Sequence, residues 1–189
     1  MISEEFTPKN KKHWRKWLEL NYNRNKGLWL IFYKKTSKYY NLSYEEARDE
    51  ALCFGWIDST KCKIDENKFK QYFSPRRKNS GWSSFNKKKI KELIDCGLMA
   101  KPGFDAIEQA KKNGNYYIFD DIENLKLPKE LEEEFKNNKK AKIIYDKLSF
   151  REKKHILYRI YLLKTEKGKR ERSKKIVENF LCMKSIIEI

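Results

Sequence analysis

The sequence predicts an α+β protein: a small antiparallel sheet with flanking helices, followed by a helical C-terminal domain. Three observations carry that expectation. Leu28 to Tyr33 is a short run of aromatic and aliphatic residues of strand length. Trp56–Lys63 and Lys68–Phe73 alternate apolar and polar residues on either side of Ile64-Asp65-Glu66-Asn67, a turn-forming segment, which reads as a β-hairpin. Beyond Leu127-Pro128 the apolar residues recur at helical spacing to the end of the chain. The same dipeptide divides an α+β domain, residues 1–127, from a helical domain, residues 128–189.

Taken in order, Trp14, Trp17, Leu18 and Tyr22 recur at three- and four-residue spacing and predict a helix over Lys9 to Tyr22, with Thr7 as N-cap and Pro8 opening it. Gly27 then releases the chain into the Leu28–Tyr33 strand. Ser43 followed by Glu46 forms a capping box for a helix reaching Phe54, and Gly55 ends it. After the hairpin, Ser74 to Gly81 is a loop by composition. Ser83 or Ser84 caps a helix over Phe85–Cys96 closed by Gly97, and a second helix over Gly103–Asn113 stops at Gly114. Tyr116 to Leu127 reads as irregular. Phe135, Ile143, Ile144 and Leu148, then Ile156, Leu157, Ile160 and Tyr161, then Ile176, Val177, Phe180 and Leu181 supply apolar faces for three or four helices.

The chain has 189 residues, with 44 Lys and Arg against 27 Asp and Glu, a formal charge of +17. Charge at 38% of residues would suit disorder, but 39% hydrophobic and 14% aromatic residues, spread along the chain, supply the apolar area that folding requires. No stretch reaches the roughly 18 to 20 apolar residues that cross a bilayer, so no transmembrane insertion is expected. Residues 1–10 lack the apolar core of a signal peptide, and the cytoplasm is the expected location. Four cysteines without C-x-x-C spacing and two histidines, His13 and His155, predict neither a metal site nor a cofactor. Hydrolase, P-loop and dinucleotide glycine signatures are absent, so no catalytic residue is assigned.

The strongest functional signal is local. Lys61 to Lys91 holds eleven Lys or Arg against Asp65 and Glu66, a net +9 that exceeds half of the chain's charge, and Tyr72, Phe73, Trp82 and Phe85 are interleaved with it. Basic groups displace counterions from phosphates while aromatic faces accept unstacked bases, so the combination suits nucleic acid or a smaller anionic ligand. A solvated basic face over aromatics packed beneath the hairpin is the plainer reading. Asp58 and Ser59 beside Trp56, placed across the hairpin from Arg76 and Arg77, suggest either a polar pocket or a structural tie. The candidate ligand-binding residues are Trp56, Asp58, Ser59, Lys61, Tyr72, Ser74, Arg76, Arg77, Trp82 and Asn86. A second basic run, Lys164 to Lys175 with net +5, reads as an exposed interhelical loop.

Leu28-Trp29-Leu30, Leu52-Cys53-Phe54-Gly55-Trp56-Ile57-Asp58-Ser59, and Phe73-Ser74-Pro75-Arg76 with Ser80-Gly81-Trp82-Ser83 and Asn86 form a recognisable pattern. Leu93-Ile94, Gly97-Leu98-Met99, Asn113-Gly114, Pro128 and Leu131 extend it into the helical tail. The chain resembles the YdeI/OmpD-associated family. That resemblance implies an α+β N-terminal part of the kind grouped with YjbR/CyaY-like proteins, a small helical C-terminal domain, and a setting in bacteriocin protection or stress resistance. It supplies no catalytic residues. The expectation is therefore a non-enzymatic basic binding module for an anionic ligand or nucleic acid. Two alternatives stand beside it: a small-molecule enzyme or sensor built on the Asp58 pocket, and an adaptor for an acidic protein partner.

Overall fold

Burial alternates strictly along Leu28–Tyr33, with Leu28, Leu30 and Phe32 enclosed and Trp29, Ile31 and Tyr33 half-buried, so successive side chains face opposite sides of a sheet. This strand, β2, is the second element of sheet in a computed structural model that describes residues 4–182. The chain divides into two compact units, with the boundary between Tyr116 and Tyr117.

In the first unit the sheet has the order β1-β2-β4-β3, with β1 (Glu5–Phe6), β3 (Trp56–Lys63) and β4 (Lys68–Pro75). β2 pairs antiparallel with β4 in a register that sets Leu28 opposite Phe73 and Trp29 opposite Tyr72, and β4 pairs antiparallel with β3. These three strands are the expected antiparallel sheet. β1 adds a parallel edge, Glu5 beside Trp29, which makes the sheet mixed. Two residues are too few to show a period, so nothing in the sequence marked it.

Helices α1 (Lys11–Asn21) and α2 (Tyr44–Cys53) cover one face of this sheet. Trp14 and Leu18 from α1, Ala47, Ala51 and Leu52 from α2, and Leu28, Leu30, Phe32, Trp56 and Phe73 from the strands form one buried cluster. Trp14 meets Phe73 edge-on at 5.7 Å and its indole N–H donates to the Ala47 carbonyl at 3.0 Å, satisfying the polar atom that a buried indole carries. The Ser43 capping box forms as the spacing predicts, and Gly55, at φ +72°, turns the chain out of α2. The first helix begins later than expected. Asn10, not Thr7, is its N-cap and accepts from the His13 N–H at 2.9 Å, because pairing of Glu5–Phe6 with β2 keeps the preceding chain extended.

α3 (Ser84–Asp95) and α4 (Lys101–Lys112) follow, with Ser83 as the cap of α3. They enclose a smaller cluster of Trp82, Ile90, Ile107 and Ala110. Gly103 lets the α4 backbone approach the Cys53 carbonyl at the end of α2, where a Cβ would overlap the oxygen.

The second unit is helical: α5 (Ile118–Glu123), α6 (Lys129–Asn137), α7 (Lys139–Lys147), α8 (Phe150–Tyr161) and α9 (Glu166–Leu181). Leu131, Phe135, Ala141, Tyr145, Ile156, Leu157, Ile160, Ile176, Val177 and Phe180 form its core. Two expectations are corrected. Tyr116–Leu127 is not irregular throughout: α5 forms within it, buries Ile122, and ends on Leu125 in the left-handed region at φ +52°, with the Lys126 N–H donating back to Asp121 at 2.8 Å. The usual glycine signal is missing there, which hid the helix end. Nor is Lys164–Lys175 a loop: Thr165 caps α9 by accepting from the Gly168 N–H at 3.0 Å, and Ser173 is buried on the same helix.

Candidate functional site

Strand register decides what the basic hairpin presents. Asp58 lies opposite Phe73 and Trp56 opposite Pro75, so Arg76 and Arg77 fall beyond the paired strand rather than across from Asp58. This corrects the facing pairs expected from the hairpin. A register shift between Asp58 and Lys61 accommodates Ser59 and Thr60 as a bulge. Asp58 is held by the Tyr44 hydroxyl at 2.8 Å and the Gln71 amide at 3.3 Å, and that amide also donates to the Ser59 carbonyl at 2.8 Å. Burial, then the bond to Asp58, pushes the Tyr44 hydroxyl up to about 12. The Asp58 carboxylate is thus engaged as a tie between α2 and the hairpin. Ser59 itself is exposed at the bulge.

The two indoles singled out by the sequence are both enclosed. Trp56 is 0% exposed, packs edge-on against Trp17 at 5.6 Å, and donates its N–H to the Tyr22 carbonyl at 3.0 Å. Trp82 is 1% exposed and belongs to the other cluster, beside Tyr116 at 5.9 Å. They neither meet nor present a ring face to an incoming base. Arg76 does meet Trp82: its guanidinium lies 3.8 Å from the ring centroid, and Nη1 donates to the Gly81 carbonyl at 3.1 Å and to Ser80 Oγ at 3.4 Å. Its Nε is buried without a partner, and burial lowers its pKa to about 10, partly offset by the charge of Asp58. Arg76 is a half-buried clamp on the loop after β4. Arg77 is exposed, and Asn86 occupies the first turn of α3, where its backbone N–H donates to the cap residue Ser83. Lys61 is exposed and lies over the Phe69 ring at 4.3 Å.

Tyr72 and Ser74 point elsewhere, to the face of the sheet opposite α1 and α2. That face carries Trp29, Ile31 and Tyr33 from β2 with Lys68, Lys70 and Tyr72 from β4, all half-buried. Trp29 and Tyr72, cross-strand neighbours, meet edge-to-face at 5.3 Å. The Lys70 ammonium sits 5.0 Å from the Trp29 ring and pairs with Glu5 at 2.5 Å. At the far end of β2, Tyr33 stands 5.8 Å from Tyr39, over which Lys38 lies at 5.1 Å. There Tyr33, Ser37, Lys38, Tyr39, Asn67 and Lys68 line a cavity of about 540 Å³, within the size range of ligand pockets.

Sequence reasoning missed Trp29, Tyr33, Lys38, Tyr39, Lys68 and Lys70. The signal was present in the alternation of Leu28–Tyr33, which assigns 29, 31 and 33 to one face, but an unbroken apolar run reads as a strand buried on both sides. Among the described residues no group of three or more His, Cys, Asp or Glu side chains is placed to hold a metal, and no helix is long and apolar enough to cross a membrane.

Compared with curated proteins and with solved structures, the chain has no significant match in either. Family comparison matches residues 6–106 to a domain of unknown function (DUF8412), which takes in the sheet, α1 to α3 and the basic hairpin. Residues 124–181 match the family described as bacteriocin-protection, YdeI or OmpD-associated, which takes in α6 to α9. The motifs from Leu28 to Asn86 fall in the first match, which spans more than half of the chain, so the chain belongs to the DUF8412 family; the resemblance to the bacteriocin-protection, YdeI or OmpD-associated family holds for residues 124–181.

Proposed function

We propose that the first unit is a non-enzymatic binding module for single-stranded nucleic acid, with the sheet face opposite α1 and α2 as the platform. The observation that carries this reading is the Trp29–Tyr72 pair, two adjacent half-buried aromatic side chains on the sheet face opposite α1 and α2, with Lys68 and Lys70 on the same face. Base stacking on such rings contributes about 1–3 kcal/mol per base, and Lys68 and Lys70 on the central strand β4 exchange their partners Asp65 and Glu5 for the phosphates that follow. Tyr33 and Tyr39 extend the aromatic surface toward Lys38. Trp56, Trp82, Asp58 and Arg76 act beneath this surface, holding β3 and the loop after β4 in place.

A single-stranded partner suits the site better than a duplex because stacked base pairs hide the ring faces that Trp29 and Tyr72 would contact. The bacteriocin-protection description of the C-terminal family supplies the physiological setting in which we place the module, within the cytoplasm.

The test is fluorescence anisotropy of the full chain with labelled single-stranded 12-mers of DNA and RNA across a salt series. Binding is expected to weaken steeply with salt, and Trp29→Ala with Tyr72→Ala is expected to lower affinity at least tenfold while circular dichroism stays unchanged. Absence of binding, or equal affinity of the double variant, would remove the platform.

A further inference from the structure

A second feature of the first unit lies apart from the open sheet face. Between α3 and α4 is a cavity of about 540 Å³ whose floor is Ile90 and Ile107, both buried, with Ile94 40% exposed at its mouth. Its rim is basic. Lys88 and Lys91 rise from successive turns of α3 and Lys111 from α4, and none of these three has an ion pair among the described residues. Among the described residues no acidic side chain lines the groove.

The chemistry of floor and rim selects the occupant. Aliphatic isoleucines offer no stacking face, and the one aromatic ring in the groove, Tyr116, already has Lys87 at 4.6 Å and Lys111 at 5.4 Å from its centroid. A nucleobase therefore finds no ring to stack on. A peptide that carries carboxylates around a leucine or isoleucine matches both features: the aliphatic side chain covers Ile94 and the carboxylates meet the lysines. Lys87 to Ile94 spans about two helical turns, roughly 10 Å, enough for one turn of a docked helix with its flanking acids.

From this complementarity we infer that the α3–α4 groove docks an acidic segment of a partner protein through an aliphatic anchor. The surface is independent of the nucleic-acid platform and needs none of its residues.

The experiment uses the full chain and two fluorescein-labelled synthetic 12-residue peptides of equal negative charge, one with two leucines four residues apart among glutamates and one with glycines in their place. The leucine peptide is expected to bind at least fivefold more tightly than the glycine peptide. Lys88→Glu with Lys91→Glu is expected to reduce its affinity at least tenfold more than Lys139→Glu with Lys140→Glu, a pair of exposed lysines in the second unit that changes net charge equally. Ile94→Asp, at an exposed position where folding tolerates the change, is expected to reduce it at least fivefold. Equal binding of the two peptides would reduce the effect to diffuse charge attraction and overturn the groove, as would failure of the leucine peptide to bind or its displacement by a single-stranded oligonucleotide. The groove variants are expected to leave oligonucleotide affinity within threefold of that charge-matched control, which separates failure of this inference from failure of the nucleic-acid reading.

Discussion

The two faces of the first unit's sheet are made by the same strands, yet they have opposite chemistry. On one, Leu28, Leu30, Phe32 and Phe73 are at most 1% exposed beneath α1 and α2. On the other, their immediate neighbours Trp29, Ile31, Tyr33 and Tyr72 are half-buried and interleaved with lysines. Residue type alone does not separate them, since both are aromatic and aliphatic. What separates them is the helical layer: α1 and α2 enclose the rings of one face, and the rings of the opposite face stay half-buried. The lysines mark the difference: Lys70 lies over Trp29 in the middle of the open face, whereas the covered face meets a cation only where exposed Lys61 lies over half-buried Phe69.

The comparison predicts unequal costs for neighbouring truncations. Phe73→Ala should destabilise the first unit by about 3–5 kcal/mol in urea unfolding, the range for a fully buried aromatic side chain, while Tyr72→Ala should cost about 1 kcal/mol or less. Equal losses would mean that the second face is also a core. Gly103→Ala comes next. Its new methyl group would strike the Cys53 carbonyl and push α4 from α2, at about 1–3 kcal/mol, without altering the open face. A loss of oligonucleotide binding in that variant would show that the two sides are coupled.

Ser43→Ala removes the capping box of α2, the helix that covers the enclosed face, and should cost about 1 kcal/mol with no effect on binding. The smallest effect concerns pH. The Tyr44 hydroxyl is raised to about 12 in the folded state, so at alkaline pH the unfolded chain releases this proton first. Its contribution is complete below the ordinary value of 10 and is lost as pH rises from about 10 toward 12. Tyr44→Phe should therefore flatten the fall in stability between pH 9 and about 11, as read by urea midpoints. An unchanged slope would separate Tyr44 from Asp58 energetically.

Much of this architecture was legible before folding was considered. The Leu28–Tyr33 strand, the Ser43 capping box and the hairpin at Trp56–Lys63 appear where spacing placed them, since each depends on interactions within a few residues. β1 escaped because its only warrant is pairing with a strand more than twenty residues away. α5 escaped because Leu125 takes the left-handed turn usually left to glycine. The site was read less well than the fold. Tyr72 lies in the expected hairpin strand, whereas Ser74, read as the start of a loop, belongs to β4, which runs on to Pro75; both share the open face, and Trp56 and Trp82, expected to line a pocket, are core.

The sequence by itself determined most of the elements, the basic hairpin and the helical character of the C-terminal region, because periodicity, caps and charge density are local properties of a chain. Tertiary structure alone decided which aromatic rings remain accessible. Trp29 and Trp56 are equally apolar and equally strand-borne, and only the position of α1 and α2 encloses one and leaves the other half-open, since burial belongs to the layer packed above a residue rather than to the residue.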